Sequence, residues 1–444
     1  MRKVITYGSF DLFHDGHYQL LKRARELGDY LIVGVTTEQY DEYRGKLNVM
    51  DSLMERIRNV KETGFADEIV IEDHIGQKLE DIQKYQVDVF TVGSDWVGAF
   101  DWLKDYCEVV YLERTKNVSS TMLRARKFNI LRLGVIGTGR IAWRFYPEAK
   151  YVSGVNVEGV YNPHLDSALE YKEQFGLKFG TDQIDEFLGQ VDAVYIASPH
   201  ETHVSYIRRA LECGRHVLCE KPMALTEQEA EELHTMAAAK GLVLMEAIKT
   251  AYCPGFYQLL GIARSGVIGA IRDVEAAFTK LESPDSRELT DREFGGSFLE
   301  LASYPLLAIV KLLGADYTDL RFETIRDENG IDLYTKAYFR YKNCLATAKV
   351  GLGVKSEGEL IISGTKGYIF VPAPWWKTRE IEVRFENQEQ NEKFFYKFLG
   401  DGLRYEISDF VAAINGNDKK EHKLRADESV ALAGIMEAWR ICQG

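Results

Sequence analysis

The sequence has few cysteines, no excess of positive charge and no long apolar run. Its six cysteines are scattered among 444 residues without a CxxC pair, which predicts reduced thiols rather than a disulfide framework. The net charge of −13 argues against a general binder of nucleic acid or of anionic membranes. No stretch is apolar for long enough to span a bilayer, and no signal peptide precedes the first predicted strand. These absences predict a cytoplasmic protein whose partners are small molecules.

The length predicts two or three domains, and one motif marks a boundary between them. An apolar strand pattern over residues 130–136 runs into Gly137-Thr138-Gly139-Arg140-Ile141-Ala142, a glycine fingerprint for a dinucleotide. About 130 residues precede it, and they contain a separate alternation of strand and helix patterns. Residues 122–130 contain no glycine, serine or proline run that would serve as a loose linker. We therefore predict a defined orientation and domains at 1–127, 128–250 and 251–444, and expect limited proteolysis to spare residues 124–131.

The first 127 residues predict a doubly wound parallel α/β sheet. Apolar strand patterns over residues 4–7, 30–35, 87–92 and 109–112 alternate with helical patterns, which places the site at the carboxyl ends of the strands. His14 and His17 stand there, at the start of a helix. Two imidazoles beside helix N–H groups suit a phosphoryl oxygen whose charge grows during attack. The alternative is that one histidine caps the helix and the other is incidental.

A second anchor begins at Arg114, where a basic residue is followed by clustered hydroxyl groups and a helix start. This pattern indicates a triphosphate cradle, although a Ser or Thr helix cap would also explain it, and both can hold at once.

The segments YGSFDLFHDGHYQLLKRARELGDYLIVGV, GSDWVGAFDWLKDYCEVVYLERT and the following SST resemble the glycerol-3-phosphate cytidylyltransferase branch of the HxGH nucleotidyltransferases. The resemblance covers residues 1–127. It implies that CTP and a polyol phosphate give a CDP-polyol and pyrophosphate with Mg²⁺, without a side-chain cluster that holds the metal. It places His14 and His17 on the α-phosphate, and Lys46 on the substrate or the β- and γ-phosphates. Arg114 joins these as a catalytic residue, and the predicted nucleotide-binding residues are Gly8, Ser9, Phe10, Asp95, Trp96, Thr115, Ser119 and Ser120.

Two positions depart from that family. Gly64 stands where the family has an arginine, and Ile75 stands where it has an aromatic residue. Both positions belong to the nucleotide-side wall, so strict selectivity for cytosine and the shape of the acceptor are left open.

Beyond residue 130, two strand ends carry the chemistry. A strand pattern over residues 155–161 ends at Asn162 without the carboxylate that selects NAD, which favours NADP while leaving NAD possible. A later strand ends in Glu220-Lys221-Pro222. The lysine there is either a cation aimed at a substrate oxygen beside a nicotinamide or a surface lysine in a turn.

The segments GVIGTGRIA, DAVYIASPHETH, ALECGRHVLCEKPMAL and GGSFLELASYPL resemble the glucose–fructose oxidoreductase/inositol dehydrogenase (Gfo/Idh/MocA) family over residues 131–444. The resemblance implies a Rossmann domain and then an open-sheet α+β domain, which supplies the substrate wall and often a dimer interface. We therefore expect a homodimer or a higher homo-oligomer. The predicted cofactor-binding residues are Gly137, Thr138, Gly139, Arg140, Ile141, Asn162, Ser198, Pro199, His203 and Glu220.

The same resemblance assigns catalysis of hydride transfer. Lys221 is its catalytic lysine, and Tyr304 stands at the position of the proton donor, where we expect Lys221 to lower its pKa. Glu300 is four residues earlier and is predicted to share a helical face with Tyr304, which could also be a packing residue. Lys249 is predicted to bind a substrate phosphate, the alternative being a solvated lysine. The aromatic segment 372–376 is interpreted as structural or interfacial first and as binding second.

Together the halves predict consecutive steps. A keto-polyol or ketose phosphate is reduced with NAD(P)H, and the polyol phosphate is then activated with CTP for cell-surface polymers such as teichoic acid or capsule. CDP-glycerol is the simplest product, and a tetritol, pentitol or hexitol phosphate is an alternative substrate. Two other hypotheses remain: the oxidoreductase acts on the CDP-linked product, or one half is a non-catalytic scaffold.

Overall fold

The computed structural model describes residues 1–46, 49, 51–113, 130–416 and 423–443. The chain forms two compact units. The first comprises Met1–Leu131 with Lys150–Asn156, and the second comprises Arg132–Ala149 with Val157–Gly444. No helix in the part of the chain that is described combines the length and the apolar character needed to cross a membrane.

The first unit contains a parallel five-stranded sheet in the order β3-β2-β1-β4-β5. Its central strands are buried on both faces, as their valine- and isoleucine-rich sequences require. The strand order reverses beside β1, so the turns after β1 and β4 flank the crevice where α/β sheets bind ligands. The strands are β1 Lys3–Gly8, β2 Tyr30–Thr36, β3 Glu68–Glu72, β4 Val89–Gly93 and β5 Glu108–Leu112. The helices are α1 Asp15–Glu26, α2 Glu38–Tyr43, α3 Leu53–Glu62 and α4 Gln77–Tyr85.

The second unit begins with a parallel six-stranded sheet in the order β11-β10-β9-β6-β7-β8. Here the order reverses beside β6, which brings the fingerprint turn after β6 and the turn after β9 to the same crevice. The strands are β6 Leu131–Ile136, β7 Val155–Tyr161, β8 Phe179–Thr181, β9 Ala193–Ile196, β10 His216–Glu220 and β11 Leu244–Ala247. The helices are α5 Arg140–Ala149, α6 Leu165–Phe175, α7 Ile184–Gln190, α8 His203–Glu212 and α9 Glu227–Ala239.

A mixed eight-stranded sheet follows, in the order β13-β14-β15-β12-β16-β17-β18-β19. Its neighbours are antiparallel except for β12 and β15, which run parallel. The strands are β12 Ile271–Thr279, β13 Asp319–Arg326, β14 Asp332–Arg340, β15 Leu345–Gly351, β16 Leu360–Gly364, β17 Tyr368–Val371, β18 Glu380–Arg384 and β19 Glu392–Phe395. The helices are α10 Lys249–Tyr252, α11 Pro254–Arg264, α12 Arg287–Thr290, α13 Ser297–Leu301, α14 Ser303–Leu313, α15 Leu403–Ile414 and α16 Ala426–Gln443.

The last two helices return to the six-stranded half. Arg404 of α15 donates to both carboxylate oxygens of Glu148 in α5, at 2.6 and 3.0 Å, and both side chains are buried. In α16, Glu428 accepts from Lys311 of α14 at 2.6 Å. The predicted fold class, a nucleotidyltransferase-like sheet, a Rossmann sheet and then an open-sheet α+β region, is confirmed.

Candidate active sites

The turn after β1 carries left-handed backbone at two residues that are not glycine. Phe10 has φ 51° and Leu12 has φ 47°, a conformation that costs about 1–2 kcal/mol per residue. Surrounding contacts hold it in place. The Phe10 ring is buried 5.5 Å from the ring of His17, and the Leu12 N–H donates to Asp51 Oδ2 at 3.0 Å. Strain maintained in this way is typical of functional loops, and Gly8, Ser9 and Phe10 lie in this turn.

His14 and His17 stack face to face at the start of α1. Their ring centroids are 3.8 Å apart and their planes are inclined by 13°. His14 is the N-cap, and its Nδ1 accepts from the backbone N–H of His17 at 3.3 Å. A neutral His14 therefore carries its proton on Nε2. The capping alternative and the catalytic hypothesis are compatible. Capping uses Nδ1 of His14, and the N–H of its Nε2 is a second group at the positive end of α1.

Arg56 is a buried cation that the sequence reasoning missed. Its side chain is fully buried in α3 and donates to the carbonyl oxygens of Ser9, Thr36 and Asp51 at 2.9, 2.7 and 3.0 Å. It also lies 3.4 Å from the carboxylate of Asp41. One guanidinium thus joins the turn after β1 to the end of β2 and to the chain before α3. Its spacing of four residues from buried Val60 was the only signal in the sequence.

Lys46, a predicted catalytic residue, lies beside the same turn. Its Nζ donates to the hydroxyl of Ser9, and burial lowers the pKa of Lys46, an effect opposed by the carboxylates of Asp41 and Asp11. Lys78 is a second cation that was missed. It is paired with Glu72 and lies 4.6 Å from the ring centroid of Tyr7, so two lysines approach the β1 crevice.

The remaining predicted nucleotide residues of the first unit are spread along its edge. Asp95 and Trp96 form a short 3₁₀ turn directly after β4, and Trp96 is 43% exposed. Gly64, which stands where the family has an arginine, follows α3 and has φ +71°. This left-handed conformation ends the helix. Ile75 is 65% exposed. The predicted residues Arg114, Thr115, Ser119 and Ser120 lie outside the described residues.

The fingerprint after β6 has the backbone that a dinucleotide loop requires. Gly137 has φ +97°, and a Cβ there would lie 2.6 Å from the carbonyl oxygen of Ala197. A Cβ at Gly139 would meet nothing closer than 4.0 Å, which leaves room for a pyrophosphate. At the tip of β7, Asn162 donates to the Thr138 hydroxyl at 2.8 Å. These residues fit a nicotinamide dinucleotide.

The next two residues of the fingerprint begin α5. Arg140 reaches across to the substrate-wall region, where it is 2.9 Å from Glu288 and 3.6 Å from Glu282. Ile141 is half-buried beside it in the first turn of the helix.

Lys221 lies directly after β10 and contacts Glu300 twice. Its Nζ donates to the Glu300 carbonyl oxygen at 2.8 Å and is 3.5 Å from the carboxylate. His200 is 3.9 Å from the same carboxylate. The side chain of Lys221 is 11% exposed, so the alternative of a surface lysine in a turn is wrong.

The turns after β9 and β10 are joined by His203. Its ring nitrogens lie 2.9 and 2.8 Å from the carbonyl oxygens of Ser198 and Pro222. Burial lowers the pKa of His203, and a neutral imidazole donates to only one of these at a time. His203 is fully buried, so it fixes the turn that carries Lys221.

Two further predicted cofactor residues occupy the same turns. Glu220 accepts from the hydroxyl of Tyr195 at 2.5 Å, and burial raises its pKa. Pro199 begins the short 3₁₀ turn His200–Thr202 after β9.

One expectation about Tyr304 was wrong. Glu300 lies in α13 and Tyr304 lies in α14, and Ala302 between the two helices keeps helical dihedral angles, φ −65° and ψ −26°. The shared helical face of Glu300 and Tyr304 therefore stays a prediction. Burial raises the pKa of Tyr304 well above its usual value, and the carboxylates of Glu220, Glu300 and Glu406 raise it further. The net direction is therefore opposite to the lowering that was expected from Lys221.

Lys249 begins α10, two residues after the end of β11, and it is half-buried. In the aromatic segment, Trp375 is fully buried and donates to the Ala277 carbonyl oxygen at 2.7 Å, so the structural interpretation holds for it. Trp376 stacks on Phe278 at 3.6 Å, and Phe278 contacts Tyr304 at 5.1 Å. The segment therefore also continues the aromatic wall beside Tyr304.

Two buried carboxyl groups of the second unit had no signal in the sequence. Asp332 accepts from the Phe298 N–H at 2.8 Å, so it anchors the start of α13, and burial raises its pKa to about 7. A Cβ at Gly296 would collide with Asp332. The second is Glu406, which is fully buried in α15.

Three family models match the chain, in the order that the sheets appear. Residues 5–126 match "Cytidylyltransferase-like", residues 131–248 match "Oxidoreductase family, NAD-binding Rossmann fold", and residues 256–370 match "GFO/IDH/MocA C-terminal domain".

Similar proteins cover each half. A glycerol-3-phosphate cytidylyltransferase of Staphylococcus aureus is 45% identical over 124 residues, which is 28% of this chain and 93% of the relative. A dTDP-3,4-didehydro-2,6-dideoxy-alpha-D-glucose 3-reductase of Actinomadura kijaniata is 35% identical over 333 residues, 70% of this chain and 95% of the relative. The chain belongs to both families. It is an enzyme that joins a cytidylyltransferase to a Gfo/Idh/MocA oxidoreductase.

Solved structures agree with this for the oxidoreductase. A 3-ketoreductase from Actinomadura kijaniata, in complex with NADP and TDP-benzene, matches with a TM-score of 0.60 and 27% identity over 70% of this chain and 97% of that chain. A UDP-N-acetylglucosamine 3-dehydrogenase of Acidithiobacillus ferrooxidans has a TM-score of 0.60 at 22% identity and thus shows the fold alone.

Proposed function

We propose that the oxidoreductase reduces a ketose or keto-polyol phosphate with NADPH, and that the cytidylyltransferase joins the resulting polyol phosphate to CTP. The products are a CDP-polyol, with CDP-glycerol the simplest case, and pyrophosphate. The observation that carries the proposal is that one chain holds both an imidazole pair at a helix start and a buried lysine beside a dinucleotide loop. A CDP-polyol is a donor for cell-surface polymers.

In the transferase, catalysis is alignment and charge stabilisation. The acceptor phosphate needs no base, because its second pKa is about 6 and it is ionised near neutral pH. His14 and His17 stabilise the charge that grows on the α-phosphate. Mg²⁺ would arrive with CTP, since the described residues include no group of three His, Cys, Asp or Glu side chains that could hold a metal.

In the oxidoreductase, a bound nicotinamide supplies the hydride. Tyr304 holds its proton at neutral pH because of its raised pKa, and donates it to the oxygen that becomes the alcohol. Lys221 polarises the same oxygen. Its position is fixed by the Glu300 carbonyl group.

Positive charges near Lys249 support a phosphorylated substrate. Burial lowers the pKa of Lys377, and the next largest cause is the charge of Lys249, followed by that of Arg379. Arg144 belongs to the same group, in which Asp401 is the anion that acts on Lys377. Such a group of cations binds a phosphate group well.

The NADP preference rests on the tip of β7. Asn162 offers an amide where an NAD-selective site has a carboxylate, so a 2′-phosphate is not repelled. A homodimer built on the open sheet remains part of the proposal.

A second candidate is that the oxidoreductase acts on a nucleotide-linked compound. The observation in its favour is that the relative 35% identical to this half is named a dTDP-sugar reductase. Under this candidate, the CDP-linked product is oxidised or reduced after the transferase step.

One set of assays separates these functions. Ketose phosphates are supplied with CTP and NADPH, and the nucleotide product is identified by mass. His17→Ala should abolish pyrophosphate release and leave NADPH oxidation intact. Lys221→Ala should abolish NADPH oxidation, and its pyrophosphate release should be intact when the polyol phosphate itself is supplied. If every free keto-phosphate is ignored and a CDP-compound is turned over, the second candidate is correct. If Lys221→Ala has no defect with any substrate, the oxidoreductase half is a scaffold.

A further inference from the structure

Glu406, on α15, is a fully buried carboxyl group without a hydrogen-bond partner. Its exposure is 0%, and across the ranges that the structure describes neither carboxylate oxygen is hydrogen-bonded. Burial raises the pKa of Glu406 well above its usual value, and the carboxylate of Glu220 raises it further. Burial therefore favours the protonated, uncharged form of this carboxyl group. An unpaired buried polar group destabilises a fold.

The helix does not need this side chain in order to stay in place. Two residues earlier, Arg404 holds α15 to Glu148 of α5. Three residues later, Asp409 pairs with Lys423 at 3.0 Å, and Lys423 also donates to the Tyr252 carbonyl oxygen at 3.5 Å. Ion pairs on either side thus fix the backbone of Glu406, whose own carboxyl group makes no hydrogen bond to any residue that the structure describes.

The surroundings of Glu406 are those of the reductase site. α15 packs against α10, the helix that begins with Lys249. The charged groups that act most strongly on Glu406 are Glu220 and Lys249, and Glu406 in turn acts on Tyr304. The packing of α15 on α10 and these electrostatic effects place the carboxyl group of Glu406 in the same part of the second unit as Tyr304, Lys249 and Glu220.

We propose that Glu406 is a substrate-binding residue whose carboxyl group pairs with a hydroxyl group on the carbon next to the carbonyl that is reduced. A carboxylic acid both donates and accepts a hydrogen bond, which matches a hydroxyl group. Substrate would satisfy a group that is unpaired in the free protein. The substrate class is a polyhydroxylated ketone, and a ketone lacking that hydroxyl is rejected because the buried carboxyl stays unpaired. This inference rests on the proposed reduction.

The first test measures stability and needs no substrate. Glu246 is the matched control, because it is also a buried carboxyl group but accepts from the Met223 N–H at 3.0 Å and from the Ser429 hydroxyl. Glu246→Leu leaves both donors unpaired and should lower the melting temperature. Glu406→Leu leaves no donor unpaired and should raise it by about 2–4 °C. If Glu406→Leu lowers the melting temperature as much as Glu246→Leu does, Glu406 is structural and the proposal is wrong.

The second test measures recognition. Three ketones are tested first: dihydroxyacetone phosphate, erythrulose 4-phosphate and xylulose 5-phosphate. The one that the wild type reduces fastest becomes the probe. It is compared with its 1-deoxy analogue and, for the two longer ketones, also with its 3-deoxy analogue. Glu406→Leu should lower kcat/KM for the hydroxylated ketone about 10- to 100-fold and leave one of the deoxy analogues unaffected. Glu406→Gln should restore part of the loss, and the affinity for NADPH should stay unchanged.

The outcomes keep the two proposals apart. If the wild type reduces none of the three ketones, the proposed reduction fails, while the stability comparison still decides whether Glu406 is structural. If the wild type is active and Glu406→Leu reduces hydroxylated and deoxy ketones with unchanged preference, the reduction stands and the role of Glu406 is overturned.

Discussion

Replacing Arg56 by methionine should destabilise the cytidylyltransferase and leave the rate of hydride transfer unchanged. The substitution removes the donor to three carbonyl oxygens, those of Ser9, Thr36 and Asp51. It also removes a cation 3.4 Å from the Asp41 carboxylate, which keeps Arg44 at 2.7 Å. Each buried acceptor left unpaired costs about 1–3 kcal/mol. Relaxation and the loss of the buried charge offset part of that sum, and breaking a buried pair generally costs about 3–5 kcal/mol. We expect the free energy of unfolding to fall by about 3–5 kcal/mol.

The assay follows pyrophosphate release from CTP as urea is raised, with NADPH oxidation in the same samples as the internal control. Arg56→Met should lose transferase activity at much lower urea, while the oxidoreductase keeps its midpoint. Arg56→Lys is the matched control. It keeps a positive charge near Asp41 but loses the planar fork of donors, so its loss should be intermediate. If Arg56→Met lowers the free energy of unfolding by less than about 1 kcal/mol and leaves the transferase rate unchanged, Arg56 does not stabilise the turn after β1.

Three further results are expected. Burial raises the pKa of Glu246 to about 7, so the folded protein keeps a proton that the unfolded chain releases above about pH 4.5. This stabilisation is complete below pH 4.5 and is lost as the pH rises to 7, which lowers the free energy of unfolding by about 3 kcal/mol in all. Urea unfolding at several pH values should show that Glu246→Gln lacks this decline. Gly137→Ala places a Cβ 2.6 Å from the Ala197 carbonyl oxygen at φ +97°. A fluorescence titration should show at least about a tenfold weaker affinity for NADPH, with CTP turnover unchanged. Asn162→Asp puts a carboxylate where a 2′-phosphate would lie, so the ratio of kcat/KM for NADPH over NADH should fall at least about tenfold; an unchanged ratio would mean that another residue selects the cofactor.

Local pattern predicted the sheets well. The strand expected at residues 155–161 is β7 over the same residues, and the strand expected at 30–35 is β2, which ends one residue later. Strands buried on both faces are continuous apolar runs, and glycine turns mark their ends, so neighbouring residues contain the signal. The place of His14 and His17 at the carboxyl edge followed from the same alternation of strands and helices.

The details of the oxidoreductase site could not be predicted in this way. The division into α13 and α14 at Ala302 was not indicated by the spacing of Glu300 and Tyr304. The pKa of Tyr304 depends on Glu220, Glu300 and Glu406, which are distant in sequence. The spacing of Arg56 from Val60 is a weak signal and Glu406 has none, because only the tertiary fold determines which charged residues become buried.

The contact between Arg404 and Glu148 has a consequence for synthesis. The two residues are 256 positions apart, and a ribosome adds about 5–20 residues per second. The carboxylate of Glu148 therefore waits roughly 10–50 s for the arginine that neutralises it. During that interval the nascent dinucleotide-binding sheet lacks its covering helix, while the strands of the first sheet, which end at Leu112, have all been made. The transferase should thus fold on the ribosome ahead of the reductase, and premature termination before residue 404 should release a chain active only with CTP.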